Sequence, residues 1–234
     1  MADFHELLAS VRAALATNGD RGAAHDSALG STARDQPAPA EAGSAELVAR
    51  FAREFELVNG RMLGVMPFER ACARALELAR ELKAQSVAVG AGAVNDMTAL
   101  AATLKAGGLE PLTFDGNPEA DRARMRERLA GVELAVVEAH YAVASTGTLA
   151  LLGGPRSPNS LTLLAPVNLV LVQADRVLRD VAAAVSALGA EAITSRRLAL
   201  VTGPSRTADI EKKLVLGAHG PREVYAIVLG PEHE

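Results

Sequence analysis

The chain has 234 residues, of which 49% are hydrophobic and 22% are charged, and its formal net charge is −4. This length is enough for one large domain or two small ones with a well-buried core. The negative charge and the low aromatic content, 3% of residues, argue against a nucleic-acid partner, because such a surface offers neither a field for phosphates nor rings for base stacking. One cysteine, Cys72, cannot form an internal disulfide, hold an iron–sulfur cluster or build a cysteine-type zinc site.

The pattern of the first residues predicts neither a secretion signal nor a membrane anchor. Met1 is followed by Ala2, Asp3 and Phe4 rather than by a basic segment and an apolar run. No apolar stretch reaches the roughly 20 residues of a membrane-spanning helix. We therefore expect a soluble, cytoplasmic protein.

Three segments are predicted along the chain. Residues 1–17 carry apolar side chains at helical spacing after Asp3, which can cap a helix, so they predict an N-terminal helix. Residues 18–45 are dominated by Ala, Gly, Ser and Pro, with Leu29 as the single large apolar residue from Asp20 onward, and they predict a flexible linker. Residues 46–234 are predicted to form one α/β domain.

Predicted helices and strands alternate through this domain, which is typical of an α/β sheet covered on both faces. One helix follows Pro67, a second is capped by Asn95 or Asp96, a third starts at Pro118, and Asp175 caps a long fourth helix. The predicted strands are 86–90, 109–114, 133–137, 148–152, 168–172, 198–202 and 224–229.

Ligands of open α/β sheets bind beyond the carboxyl ends of the strands, so the loops that leave the strands are the places to look for a site. The loop Gly90–Asn95 resembles a dinucleotide fingerprint, but Asn95 stands where the third glycine belongs. The structural alternative is a glycine-lined turn into a helix.

A second loop, Ser145–Thr148, places hydroxyl groups on either side of Gly147. Such a turn can offer side-chain and backbone donors to an anion, or its hydroxyls can satisfy their own backbone. Glu138 and His140 lie just upstream as candidates for acid–base or nucleophilic chemistry. We expect no metal site here, because His140 has no second ligand at metal-binding spacing.

A third loop runs from Thr202 to Glu211. Gly203 and Pro204 make a sharp exit from a strand, and Ser205 or Thr207 can cap a following helix that includes residues 212–216. The free N–H groups of such a helix, with Arg206 beside them, favour an anion. Acidic residues in the first turn, Asp209 among them, also complement the helix dipole, so a purely structural helix is the alternative.

This third loop, continued by residues 214–221, resembles the signature of the lactate-utilisation (LUD) domain family. The run Ser145–Leu149 matches a second signature of that family, a Thr-Gly-Thr turn, although Ser145 stands where the family often has an acid. The resemblance covers about residues 135–229, with a compatible pattern back to about residue 60. The residues expected to bind a ligand are Thr146, Gly147, Thr148, Gly203, Ser205, Arg206, Thr207, Asp209 and His219.

The resemblance implies a Rossmann-like three-layer α/β/α sandwich, similar to the NagB/RpiA/CoA transferase-like fold. It also implies a role in oxidising L-lactate to pyruvate together with two iron–sulfur proteins, which would carry the clusters while this chain binds no cofactor.

Two functions remain open from the sequence. In the first, the chain is a non-redox subunit whose signature loops hold a small anion, such as the substrate carboxylate, or shape a subunit contact. In the second, it is a self-sufficient enzyme, like a CoA-transferase or formyltetrahydrofolate cyclo-ligase, that uses Glu138 as nucleophile or His140 as base on an acyl or phosphorylated substrate.

Overall fold

Helices and strands alternate from Ser44 onward in the structure, a computed structural model that describes residues 44–114, 127–195, 197–207, 215–216 and 220–231. The principal helices are α1 (Ser44–Leu57), α2 (Phe68–Glu81), α3 (Thr98–Ala106), α4 (Asn159–Leu164) and α5 (Val181–Ser195). The strands are β1 (Arg61–Met66), β2 (Val87–Val89), β3 (Leu134–Glu138), β4 (Tyr141–Val143), β5 (Thr148–Leu152), β6 (Val167–Gln173), β7 (Val177–Leu178), β8 (Leu198–Val201), β9 (Arg206–Thr207), β10 (Val215–Leu216) and β11 (Glu223–Leu229).

Five parallel strands form the main sheet in the order β1-β11-β6-β3-β2. The central strands β3, β6 and β11 are buried over almost their whole length, as expected for a parallel sheet covered on both faces. Strands β2 and β3 lie side by side at one edge. Their carboxyl ends therefore open at the same end of the sheet.

Helices cover the main sheet on both faces. Leu78 of α2 and Leu100 of α3 are fully buried in one apolar cluster with alternate side chains of the sheet. Phe51 and Phe55 of α1 and Leu161 of α4 belong to a second cluster, which contains the other alternate side chains. The three-layer α/β/α architecture predicted from the sequence is confirmed.

A second sheet of four strands, in the order β7-β4-β5-β8, packs beside the first. The sequence pattern predicts a single sheet that contains every predicted strand. Two of them, 148–152 and 198–202, instead belong to this second sheet, where they pair antiparallel as β5 and β8. Only four residues connect β4 to β5, which permits an antiparallel pair but no parallel crossover. Strand β4, three residues long, was too short to be recognised in the sequence.

Two predicted elements are corrected. Segment 109–114 forms only an isolated bridge, between Ala88 and Leu112, because Pro111 lacks the N–H needed to extend a ladder. Asp175 lies in a short 3₁₀ helix rather than at the start of α5. The cap of α5 is Asp180, whose Oδ1 accepts the Ala183 N–H at 2.8 Å.

The buried face of α5 also differs from the prediction. Val177 belongs to β7, and Val181 and Val185 are 39% and 51% exposed, whereas Ala184 and Leu188 are buried as predicted. The five-residue shift of the cap explains the position of Val177, because it removes the first predicted turn from the helix.

Several predictions fall outside the described residues. These are the helix over 1–17, the linker up to residue 43 and the start of the helix at Pro118; residues 127–130, at its end, are helical. Ser44 and Ala45, which end the predicted linker, belong to α1. The domain boundaries stay predictions. Within the described ranges, no helix has the length and apolar character needed to cross a membrane.

Candidate functional site

The two signature loops meet at the start of β5. Because β5 and β8 run antiparallel, Thr148 at the beginning of β5 lies next to Thr202 just after β8. The Thr148 Oγ1 atom is 2.8 Å from both the Thr146 Oγ1 and the Thr202 Oγ1. Thr148 is 4% exposed, whereas Thr146 and Thr202 are exposed, so this chain of hydroxyl groups runs from a buried centre to the surface at both ends.

The glycines of both loops pack against the carboxyl-terminal end of α1. Gly147 has φ +60°, and a Cβ there would lie 2.5 Å from the Phe55 Cα. Gly203 has φ +73°, and a Cβ there would overlap the Val58 carbonyl oxygen. Arg206 donates a hydrogen bond to the same Val58 carbonyl, which lies just after the last residue of α1, where basic side chains commonly cap helices. The signature therefore holds α1 on the domain.

The predicted helix that includes residues 212–216 is contradicted at Val215 and Leu216, and residues 208–214 lie outside the described residues. Arg206 and Thr207 form β9, which pairs antiparallel with β10, so Val215 and Leu216 are also extended rather than helical. Valine and leucine suit either structure, and pairing across the hairpin decides between them. Ser205 is half-buried and donates its N–H to the Pro221 carbonyl at 2.9 Å. The predicted ligand residues Asp209 and His219 lie outside the described residues.

A cavity of about 660 Å³ lies at the other end of β5, beyond the carboxyl ends of β2 and β3. It contains both weak catalytic candidates, Glu138 and His140, beside Leu152 at the end of β5. Four residue steps of about 3.3 Å separate Thr148 from Leu152, a distance of about 13 Å. The structure thus brings the two catalytic candidates together and separates them from the hydroxyl cluster.

Glu138 organises the glycine loop that follows β2. Its side chain is 3% exposed. The Oε2 atom accepts the Val94 and Asn95 N–H groups at 2.9 Å each, and the Oε1 atom accepts the Asn95 side-chain amide at 2.5 Å. A Cβ at Gly92 would lie 2.6 Å from Oε2. Asn95, which breaks the dinucleotide fingerprint, therefore serves as a donor to Glu138.

His140 forms part of the cavity wall in a fixed orientation. Its backbone N–H donates to the Ala150 carbonyl at 2.9 Å. Its Nδ1 atom accepts the Leu152 N–H at 3.3 Å. An acceptor at Nδ1 places the proton of the neutral imidazole on Nε2, so the ring is set up to donate a hydrogen bond from that atom.

The segment from Gly153 to Asn159 forms the opposite wall and was missed in the sequence. Gly154 and Ser157 exchange backbone hydrogen bonds in a tight turn, and the Ala91 N–H donates to the Arg156 carbonyl at 2.9 Å, which ties this turn to the first glycine loop. The Arg156 side chain is exposed and forms no ion pair with the described residues. Two glycines and two prolines around an arginine, directly after a strand, were the signal that could have identified it.

A second cavity, of about 390 Å³, lies next to the first. The two share the residues Ala91, Gly92 and Arg156. Asp96 lines the second cavity, and its pKa is lowered, mainly because its carboxylate accepts the Thr98 N–H at 3.0 Å; the Arg156 charge acts in the same direction. Asp96 is therefore ionised at neutral pH.

Within the described part of the chain, no three His, Cys, Asp or Glu side chains are grouped as metal ligands. Burial raises the pKa of the Cys72 thiol to about 11. This thiol is therefore protonated at neutral pH, whereas metal binding and nucleophilic attack both need the thiolate.

The geometry defines a class: a Rossmann-like three-layer α/β protein with a cavity beyond the carboxyl ends of its parallel strands. The LUD domain model matches residues 48–229, and the chain belongs to the LUD domain family. The family resemblance inferred from the two signature loops is confirmed.

Known proteins with similar sequences or folds agree with this assignment. An uncharacterized protein from Neisseria meningitidis is 30% identical over 135 residues, 56% of each chain. A lactate utilization protein C from Halalkalibacterium halodurans is 30% identical over 110 residues, 45% of this chain and 48% of that protein. The chain spans about half the length of the curated relatives it matches. A crystal structure of a DUF162 family protein from Deinococcus radiodurans shares the fold, with a TM-score of 0.55 and 19% identity over 81% of this chain and 99% of that one.

Proposed function

We propose that this chain is a non-redox component of an L-lactate utilisation system in which lactate is oxidised to pyruvate. Membership of the LUD domain family and relatives named lactate utilization protein C support this role. With one cysteine, the chain lacks the four thiolates that ordinary iron–sulfur clusters use. Electron transfer would therefore take place on iron–sulfur partner proteins.

The chain's own contribution, in this proposal, is to bind the small carboxylate, L-lactate or pyruvate, in the cavity next to Arg156. The observation that carries this step is the exposed Arg156 guanidinium, which lines the cavity and has no ion pair among the described residues. A guanidinium binds a carboxylate through two parallel hydrogen bonds. The predicted alternative, Arg206, already donates to the Val58 carbonyl.

The stand-alone acyl-transfer enzyme receives less support from the geometry. Both oxygens of Glu138 accept hydrogen bonds from the loop that they organise. A nucleophilic attack by either oxygen would give up these bonds and release the loop. Glu138 is better suited to positioning the cavity wall than to covalent chemistry.

Reconstitution with candidate iron–sulfur partners tests the assembly role. The chain is purified alone and with those partners, and lactate-dependent reduction of a dye is measured. We expect turnover only in the complex. Lactate oxidation by the isolated chain, or full activity of the partners without it, would contradict the proposal.

Thermal unfolding tests the carboxylate site. A ligand at 100 times its dissociation constant adds about 2.7 kcal/mol to the unfolding free energy, so we expect pyruvate or L-lactate to raise the melting temperature. Arg156→Met should abolish this shift. The matched control is Arg50→Met, since Arg50 is exposed on α1, away from the cavity residues. An equal ligand shift in both variants would place the carboxylate elsewhere.

A further inference from the structure

The cavity beyond β2 and β3 is much larger than lactate or pyruvate. Each of these acids has six non-hydrogen atoms, and a water molecule, which has one, takes up about 30 Å³ in the liquid, so six such volumes amount to about 180 Å³. The cavity holds about 660 Å³. This volume is within the range of roughly 300–1,000 Å³ found for cofactor and other organic-ligand sites. The cavity therefore has space for a larger molecule.

The second cavity extends this space past Arg156. The wall that the two cavities share is fixed by the hydrogen bond from the Ala91 N–H to the Arg156 carbonyl. The glycine loop packs too tightly for side chains at this wall, since a Cβ at Gly90 would lie 2.6 Å from the Ser157 Oγ. An elongated ligand lying along the wall would meet the glycine loop and the Arg156 guanidinium.

The second cavity combines apolar and hydrogen-bonding walls. Val89, Met97 and Phe114 line this cavity and are 2%, 5% and 9% exposed, so the apolar surface that they offer is small. Thr98 contributes a hydroxyl group, and Asp96 contributes an ionised carboxylate. This mixture suits a flat apolar ring attached to a hydroxylated sugar, because a carboxylate accepts hydrogen bonds from sugar hydroxyls.

We infer that the two cavities form one site for a nucleoside phosphate, with the phosphate on Arg156, the phosphate chain in the larger cavity, and the sugar and base in the smaller one. The inference deepens the proposed function, since it uses the same Arg156, and it adds a second ligand class to that site. The two cavities and the exposed arginine that lines both of them carry it together.

Titration calorimetry on the full chain tests the inference with AMP and ATP, and with adenosine and inorganic phosphate as the two halves of the ligand. We expect AMP or ATP to bind at least tenfold more tightly than either half. Arg156→Met should weaken nucleotide binding at least tenfold, whereas Arg50→Met should leave it unchanged. Nucleotide affinity no better than that of inorganic phosphate would overturn the inference.

A second variant examines the smaller cavity separately. Val94 lines its rim and is 51% exposed, so Val94→Trp can narrow this cavity without disturbing the core. We expect at least tenfold weaker nucleotide binding and unchanged pyruvate binding. Unchanged nucleotide binding in a folded Val94→Trp protein would refute the use of the second cavity.

The two proposals fail in different ways. Nucleotide binding with these variant effects, but no response to lactate or pyruvate, would remove the carboxylate proposal and support the nucleotide site. Pyruvate binding that depends on Arg156, without any nucleotide binding, would do the reverse.

Discussion

Gly147→Ala tests whether the signature turn holds α1 on the domain. Gly147 has φ +60°, and the left-handed conformation costs an alanine about 1–2 kcal/mol. The new Cβ would lie 2.5 Å from the Phe55 Cα, and helix backbone cannot move aside as the end of a flexible side chain can. Overpacking of this kind costs about 1–3 kcal/mol more. The expected loss of unfolding free energy is therefore about 2–5 kcal/mol.

Urea unfolding followed by circular dichroism measures this loss, and the m value reports whether the compactness of either state has changed. Gly131→Ala is the matched control, because a Cβ at Gly131 meets nothing within 4 Å and its φ is outside the left-handed range. We expect this control to stay within about 1 kcal/mol of the parent protein. If Gly147→Ala unfolded at the parent midpoint, the packing argument for the signature turn would be refuted.

Three further predictions concern the cap of α5, the cysteine and the hydroxyl cluster. Asp180→Ala should lower the unfolding free energy by about 1 kcal/mol at pH 7. The Ala183 N–H lowers the pKa of Asp180, so this difference should shrink on acidification through the folded-state pKa, measured by urea unfolding at pH 7 and pH 3. Burial raises the pKa of Cys72 to about 11, so this thiol should react slowly with Ellman's reagent at pH 8 in the folded protein. In 8 M urea the reaction should be complete on the order of seconds to minutes. Equal rates in the two conditions would contradict the burial of Cys72. Thr148→Val should cost about 0.5–1.5 kcal/mol in urea unfolding, because the hydrogen bond between the Thr148 and Thr202 hydroxyl groups is lost, whereas Thr148→Ser should retain most of the stability.

The buried strands of the main sheet could be predicted closely from the sequence. Predicted strands 133–137, 168–172 and 224–229 differ from β3, β6 and β11 by at most one residue at each end, since a parallel strand buried on both faces is a continuous apolar run. Strand β1 was missed because it is an edge strand with an irregularity: its register shifts between Met62 and Val65, and Gly64 has φ +117°. The extended structure of β1 depends on its pairing with β11, which is distant in the chain and cannot be inferred from the local sequence.

The cavity could be predicted only in part. Glu138 and His140 come at and just after the end of a clear strand, so the sequence identified them as candidates for acid–base or nucleophilic chemistry. Their position opposite the 153–159 segment depends on how the two sheets pack, because Ala91 and Arg156 are distant in the chain and meet only through the fold. The helix prediction failed at Val215 and Leu216 for a related reason, since their pairing with β9 decides the structure of two residues that have no strong local preference.

The signature turns and the cavity lie at opposite ends of β5, so we expect them to have separate roles. The signature residues Gly147 and Gly203 adopt left-handed conformations against α1, and Arg206 donates a hydrogen bond to the carbonyl at the end of that helix, so packing favours these residue types. The turn 153–158, at the other end of β5, is tied to the loop after β2 instead. Substitutions in the exposed part of that turn, such as at Arg156, should therefore change ligand binding with little change in stability, whereas substitutions at Gly147 should do the opposite.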